Sequence, residues 1–277
     1  MLKFATNLQN SLMSCCGYFP ADQPANENTM KNIAILFSVF IIFLGNTYAQ
    51  STDGIAVTNK TDAQGRKQGI WKKSDKEGRL LYSGSFTDDK PTGHFIYYDT
   101  TGAVKAESEF SENGTKSMTT AFYRNGVKMS EGLYVNEKRE GTWKFYNEEG
   151  VLISEENYRN GQAEGTWKTF YANNAILEEI NYHSGIKEGI WKQYFYDGPV
   201  KLNALYKAGK LEGLATFYHS NGRVMVSGPY VNNLKDGVWM HLNDKGVAEK
   251  REIWSAGFLV AEEYYDKAME KMAKEEK

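Results

Sequence analysis

Four histidines, His94, His183, His219 and His241, are the first side chains to test for chemistry. Metal binding or proton transfer needs such residues clustered with carboxylates or cysteines at ligand spacing. These four show no such spacing, and the two cysteines, Cys15 and Cys16, stand far upstream. They read as scattered surface residues, so neither a metal nor a cofactor is expected. Glu107, Glu131, Glu155 and Glu179 recur every 24 residues. That regularity makes a solvated stripe and not a catalytic pair. The sequence holds no Gly-x-Ser-x-Gly motif and no phosphate-cradling loop. The chain is expected not to be an enzyme.

The aromatic residues are better candidates. Trp143, Trp167 and Trp191 stand 24 residues apart, in a column that also holds Trp71 and Trp239. An exposed ladder of this kind stacks on sugar rings, peptide prolines or lipid headgroups. The alternative is that each Trp packs on the next hairpin and is structural. The formal net charge of −2 gives no reason to expect a nucleic-acid partner.

The element that must position these residues is a repeat. Gly69, Gly93, Gly141, Gly165, Gly189, Gly213 and Gly237 are separated by multiples of 24, with Ser117 in the remaining place. This position is slot zero, and slots are counted forward from it. Slot two holds the Trp column and Phe95, with Thr119 and Ala215 as exceptions. Slot five holds Tyr98, Phe122, Tyr146, Phe170, Tyr194 and Tyr218. Slot seventeen is aromatic throughout: Phe86, Phe110, Tyr134, Tyr158, Tyr182, Tyr206, Tyr230 and Trp254. With 18 Tyr and 26 Gly against 5 Pro, short strands and tight turns are expected, not helices.

Slot nine holds Gly78, Gly102, Gly126, Gly150, Asn174, Gly198, Gly222 and Gly246. Gly and Asn are the residues that tolerate a left-handed backbone. Asp75, Asp99, Asn147 and Asn243 precede slot nine by three residues, which marks a type I turn closing into a Gly bulge. That turn sets slot five opposite slot eleven and slot three opposite slot thirteen. Slots five, eleven and seventeen then form one aromatic-aliphatic face, expected to be the core. A plain two-residue turn would instead set Lys144 and Lys168 opposite Glu155 and Glu179.

The predicted fold is all-β: an elongated single sheet, or solenoid, of about eight antiparallel hairpins over residues 69–260. At ~4.8 Å per strand it would run ~75 Å. Residues 50–68 are expected to form a degenerate N-terminal cap, with Ile55–Asn59 as a lone strand. Residues 261–277 carry Tyr265, Ala268, Met269 and Met272 at helical spacing, which predicts a short amphipathic capping helix.

Upstream, Lys31, the apolar run Ile33–Leu44 and Thr47-Tyr48-Ala49 read as a signal peptide over residues 30–49. The run is short of the ~20 residues a spanning helix needs; an uncleaved anchor is the alternative. Residues 1–29 read as an early start or a disordered extension before Met30. The mature chain from Gln50 then lacks cysteine, and a periplasmic, outer-membrane-associated or extracellular place is expected.

The unit Gly141, Trp143, Tyr146, Gly150, Glu155, Tyr158, Asn160, Gly161, Gly165 and Trp167 resembles the MORN repeat in its shorter bacterial variant. That resemblance implies hairpins that bind proteins or lipids without catalysis. Such chains also resemble the YwqK-family antitoxins, which implies an antitoxin-like or immunity role as one alternative. An antitoxin against a cytosolic toxin carries no export signal, so the repeat architecture is what carries over. The expected function is a binding or scaffolding surface in the cell envelope for a protein partner, with a glycan or cell-wall module as the other alternative and a lipid ligand also open.

Overall fold

The computed structural model describes residues 58–266. They form one open antiparallel sheet of 21 strands and a single three-residue 3-10 turn, Glu112–Gly114. Pairing follows the chain from Lys60–Thr61 on Lys67–Ser74 to Ala248–Ser255 on Phe258–Tyr264, except that Gln162–Ala163, Lys210–Leu211 and Leu234–Lys235 each share a partner with the strand that follows them. The all-β hairpin expectation holds. The sheet belongs to the second of two compact units, residues 57–277.

Every slot-nine residue has a positive φ, from 62° at Asn174 to 104° at Gly198. The Gly150 N–H donates to the Asn147 carbonyl at 3.0 Å, and the Asn147 N–H donates to Val151 at 3.0 Å. This is the turn with a Gly bulge that the sequence predicts. The opposite hairpin ends are two-residue turns with positive φ at both centres, such as Asn232 at 50° and Asn233 at 70°. A carboxylate from the preceding unit closes several of them. Glu140 accepts from the Asn160 N–H, Glu164 from Ser184, Glu188 from Ala208 and Asp236 from Ala256.

The register is half as expected. Slot five does face slot eleven, as in Tyr146 on Leu152 and Tyr194 on Val200. Slot three, however, faces slot fourteen: Lys144 pairs with Glu155 and Lys168 with Glu179. A second bulge at slot twelve, between those pairs, adds one residue and turns the rest of the strand over. The Lys–Glu opposition thus arises together with the turn bulge and not in place of it.

That second bulge moves the core. Slot seventeen joins slots zero, two and four, while slots five and eleven join the opposite face. The buried apolar residues, among them Phe86, Phe95, Phe110, Trp143, Phe145, Ile180, Leu202 and Trp239, lie at slots two, four, thirteen, fifteen and seventeen. The core face is therefore the tryptophan face, and the expected core of slots five, eleven and seventeen is split. On the other face Lys144 reaches Glu155 at 3.7 Å and Lys168 reaches Glu179 at 3.5 Å. There Tyr146 donates to Glu131 at 2.6 Å and Tyr194 to Glu179 at 2.7 Å.

Two irregular places have local causes. Slot-zero glycines have positive φ at a bulge, but Ser117 stands in an unbroken register with Phe110. The loop before it, residues 112–115, is two residues longer than the usual turn and absorbs the offset that the bulge absorbs elsewhere. At the C-terminal end Phe258–Tyr264 is a strand, with Ala261 opposite Ile253. Ala261–Tyr264 therefore extend the sheet in place of starting the expected helix. The sheet's backbone donors at Ala248–Ser255 recruit them. The remainder of that expectation, residues 267–277, lies outside the described residues, as do the signal segment 30–49 and residues 55–57. At the other end Asn59 brackets the first strand, donating to Ile70 and accepting from Lys72.

Candidate functional site: the aromatic face

What lies beneath each ring at slot two decides how deeply it sits. The residue eleven positions earlier, at slot fifteen of the preceding unit, pairs near it on the adjacent strand. It is Gly84 under Phe95, Gly132 under Trp143 and Gly228 under Trp239, and a Cβ at any of the three would lie 2.3 Å from the ring. Glycine lets the ring lie on the backbone, so Trp143 is 2% and Trp239 1% exposed. Thr119 instead meets Ser108 through a buried hydroxyl pair at 2.8 Å, and Ala215 shares a buried cluster with the small Ala204.

Trp167 and Trp191 have no such bed. Glu156 and Ile180 occupy their slots fifteen, and both rings remain half-buried. The ladder Trp143, Trp167, Trp191 is thus unequal: Trp143 is packed away, and two rings are left in contact with solvent. Aromatic neighbours from slot seventeen continue the row, with Tyr158 and Trp167 centroids 5.3 Å apart, Trp167 and Tyr182 4.6 Å, and Trp191 and Tyr206 5.5 Å.

A cleft of about 100 Å³ opens beside these rings, lined by Glu156, Trp167, Glu178, Ile180, Tyr182 and Lys187 among others. Glu178 accepts from the Trp191 indole N–H at 2.7 Å and from Gln193 at 3.0 Å, both neutral donors. Burial pushes the Glu156 carboxyl above the usual carboxylate range, against bonds from Tyr158 at 2.5 Å and Ser154 at 3.3 Å. Arg139 holds Tyr158 from the far side, donating to its hydroxyl at 2.8 Å.

Reading the slots missed slot fifteen. Its signal was available: Gly84, Gly132 and Gly228 each stand eleven residues before a large ring. The histidines are less uniform than expected. His94 and His183 are exposed, near Glu109 and Glu164. His219 instead bonds the Leu242 carbonyl at 2.9 Å, and His241 lies 3.2 Å from the buried Glu252. Among the described residues no group of three or more His, Cys, Asp or Glu is placed to hold a metal. Nor is any helix among them long and apolar enough to cross a membrane.

The architecture has a sequence counterpart. The MORN repeat variant model matches residues 139–160, 163–184 and 211–232, so the chain carries MORN-type repeats in at least these three places. No curated protein matches the chain. Among solved structures, TarM is similar at 16% identity over 32% of this chain and 18% of that one, with a TM-score of 0.26. A TarM mutant from S. aureus in complex with fondaparinux, alpha-GlcNAc-glycerol and UDP is similar at 12% identity. That match covers 62% of this chain and 22% of the other, with a TM-score of 0.16. The chain thus spans about a fifth of the length of these structures, and at such scores the likeness defines no shared fold.

Proposed function

We propose that this chain is an exported, non-enzymatic repeat protein that binds a protein partner in the cell envelope through its aromatic face. The observation that carries the reading is the contrast within one column: Trp143 and Trp239 are sealed, whereas Trp167 and Trp191 stay half-buried, Trp167 on the wall of an open cleft. Tryptophan, tyrosine and a few charged groups around a shallow cleft are the composition of a protein-binding patch. Glu140 closes a turn, and Glu131 and Glu155 meet Tyr and Lys at repeat spacing, which suits scaffolding. Export rests on the Lys31, Ile33–Leu44 and Ala49 pattern.

The test is retention from envelope extract on immobilised chain, comparing the native chain with Trp167→Ala plus Trp191→Ala. The expected result is one protein retained by the native chain and lost by the double variant, with the fold of both intact. Retention unchanged in the variant would move binding to the opposite face. Retention of cell-wall oligosaccharide and no protein would replace the partner by a glycan. N-terminal sequencing of the exported form is expected to begin at Gln50, and an intact leader in the cytosol would contradict export.

A further inference from the structure

The units that carry Trp at slot two share another feature, two residues before slot zero. Lys67 lies 4.9 Å over the Trp71 ring and 4.6 Å over Phe86. Arg139 lies 4.7 Å over Trp143 and 5.1 Å over Tyr158. Lys235 lies 4.4 Å over Trp239 and 4.6 Å over Trp254. Lys187, in the Trp191 unit, lies 5.0 Å over Tyr206. The units without Trp carry Pro91, Thr115 and Leu211 at the same position. A cation therefore accompanies Trp along the chain, and each spans the slot-two and slot-seventeen rings of its unit or reaches one of them.

One unit breaks the rule. Trp167 and Tyr182 form such a ring pair, but the residue two before Gly165 is Ala163, which pairs with Tyr158 as Leu211 pairs with Tyr206. Among the described residues no Lys or Arg stands over the Trp167 ring, and the cleft of about 100 Å³ lies beside it. Its wall carries Glu156 and Glu178, and the side-chain donors that Glu178 meets are both uncharged. Lys187 stands on the rim, while the Lys168 ammonium is drawn to Glu179 on the opposite face.

We infer that the Trp167–Tyr182 cleft takes a cationic side chain, Arg or Lys, supplied by the partner protein, in the place that Arg139 and Lys235 fill in their own units. This rests on the aromatic face being the binding surface. The chemistry is that of a cation over aromatic rings with carboxylates at the edge, desolvated enough to outweigh the water it displaces. A guanidinium has the advantage, because it stacks flat on the indole while donating to Glu178. The nearby Lys187 on the rim weakens the binding of any cation that cannot also donate a hydrogen bond to Glu178, which disfavours a quaternary ammonium.

The test is titration of the full chain with N-acetylarginine amide, followed at the Trp167 indole resonance. N-acetylcitrulline amide, of equal shape without charge, and choline are the comparisons. A saturable response to the arginine amide is expected, weaker by about tenfold for citrulline and absent for choline. Ala163→Arg is expected to abolish it by filling the place from within, and to raise Tm. Glu178→Gln is expected to weaken it without touching the fold, which keeps the test decisive if Ala163→Arg does not fold. An unchanged response in either variant, equal binding of citrulline, or a site saturated by choline alone would overturn the inference. Should the native chain ignore the arginine amide while Trp167→Ala plus Trp191→Ala still loses the envelope protein, the binding surface stands and the cation site falls.

Discussion

Trp191 donates its indole N–H to the Glu178 carboxylate at 2.7 Å, whereas Trp143, Trp167 and Trp239 donate theirs to the backbone carbonyls of Leu133, Asn157 and Pro229. The three carbonyl acceptors are one residue beyond slot fifteen of the preceding unit. For Trp191 that residue is Asn181, and the branched Ile180 beside it stands directly opposite Trp191 on the neighbouring strand. Ile180→Gly is therefore expected to let Trp191 settle on the strand and transfer its N–H to the backbone. Quenching of Trp191 fluorescence by a soluble quencher should fall; an unchanged response would show that Glu178 alone positions the ring.

The reverse change is costly where the bed is glycine. A methyl at Gly132 or Gly228 would lie 2.3 Å from the Trp143 or Trp239 ring. Gly132→Ala and Gly228→Ala are expected to destabilise by about 1–3 kcal/mol, the range for overpacking a filled site. Denaturant midpoints measure this, and a loss below the precision of the midpoint would mean the rings rest elsewhere.

The slot-nine column makes a backbone prediction. Gly150 has φ 82° and Asn174 φ 62°. Gly150→Val is expected to cost about 1 kcal/mol or more, since a branched residue resists positive φ. Asn174→Gly should be neutral or slightly stabilising. Thermal melts that move for neither variant would contradict the turn assignment.

Acid stability should depend on Glu252. Burial alone would raise its carboxyl. The Lys250 ammonium at 2.7 Å, the Trp254 indole N–H at 2.8 Å and His241 at 3.2 Å override that and hold it at about 2. A folded value below the unfolded one means stability that is present above pH ~4.5 and lost as pH falls toward ~2. The contribution is on the order of 3 kcal/mol by that linkage. Glu252→Gln should flatten this part of the stability-versus-pH curve. An equal acid slope in both proteins would assign the loss to other carboxylates.

Much of the fold was legible because the 24-residue period and the Gly or Asn of slot nine are backbone requirements written directly in residue type. The register was only half legible. The slot-twelve bulge falls on residues such as Ile153 and Leu177, which have no turn chemistry to announce it. From that one residue followed the misplaced core, since a single slip exchanges faces. The tryptophan column was legible as a column but not as a graded one, because burial depends on the neighbour eleven residues back. Ala163 gained meaning only once Lys67, Arg139, Lys187 and Lys235 were seen over the rings of their own units.

The most direct measurement is the accessibility of each indole N–H to a soluble paramagnetic agent in the ligand-free full chain, read resonance by resonance. Trp143 and Trp239 should be protected, and Trp167 and Trp191 broadened, because those two residues stay half-buried. Equal protection of all four would mean that the column is packing throughout, and the aromatic face would then be no binding surface.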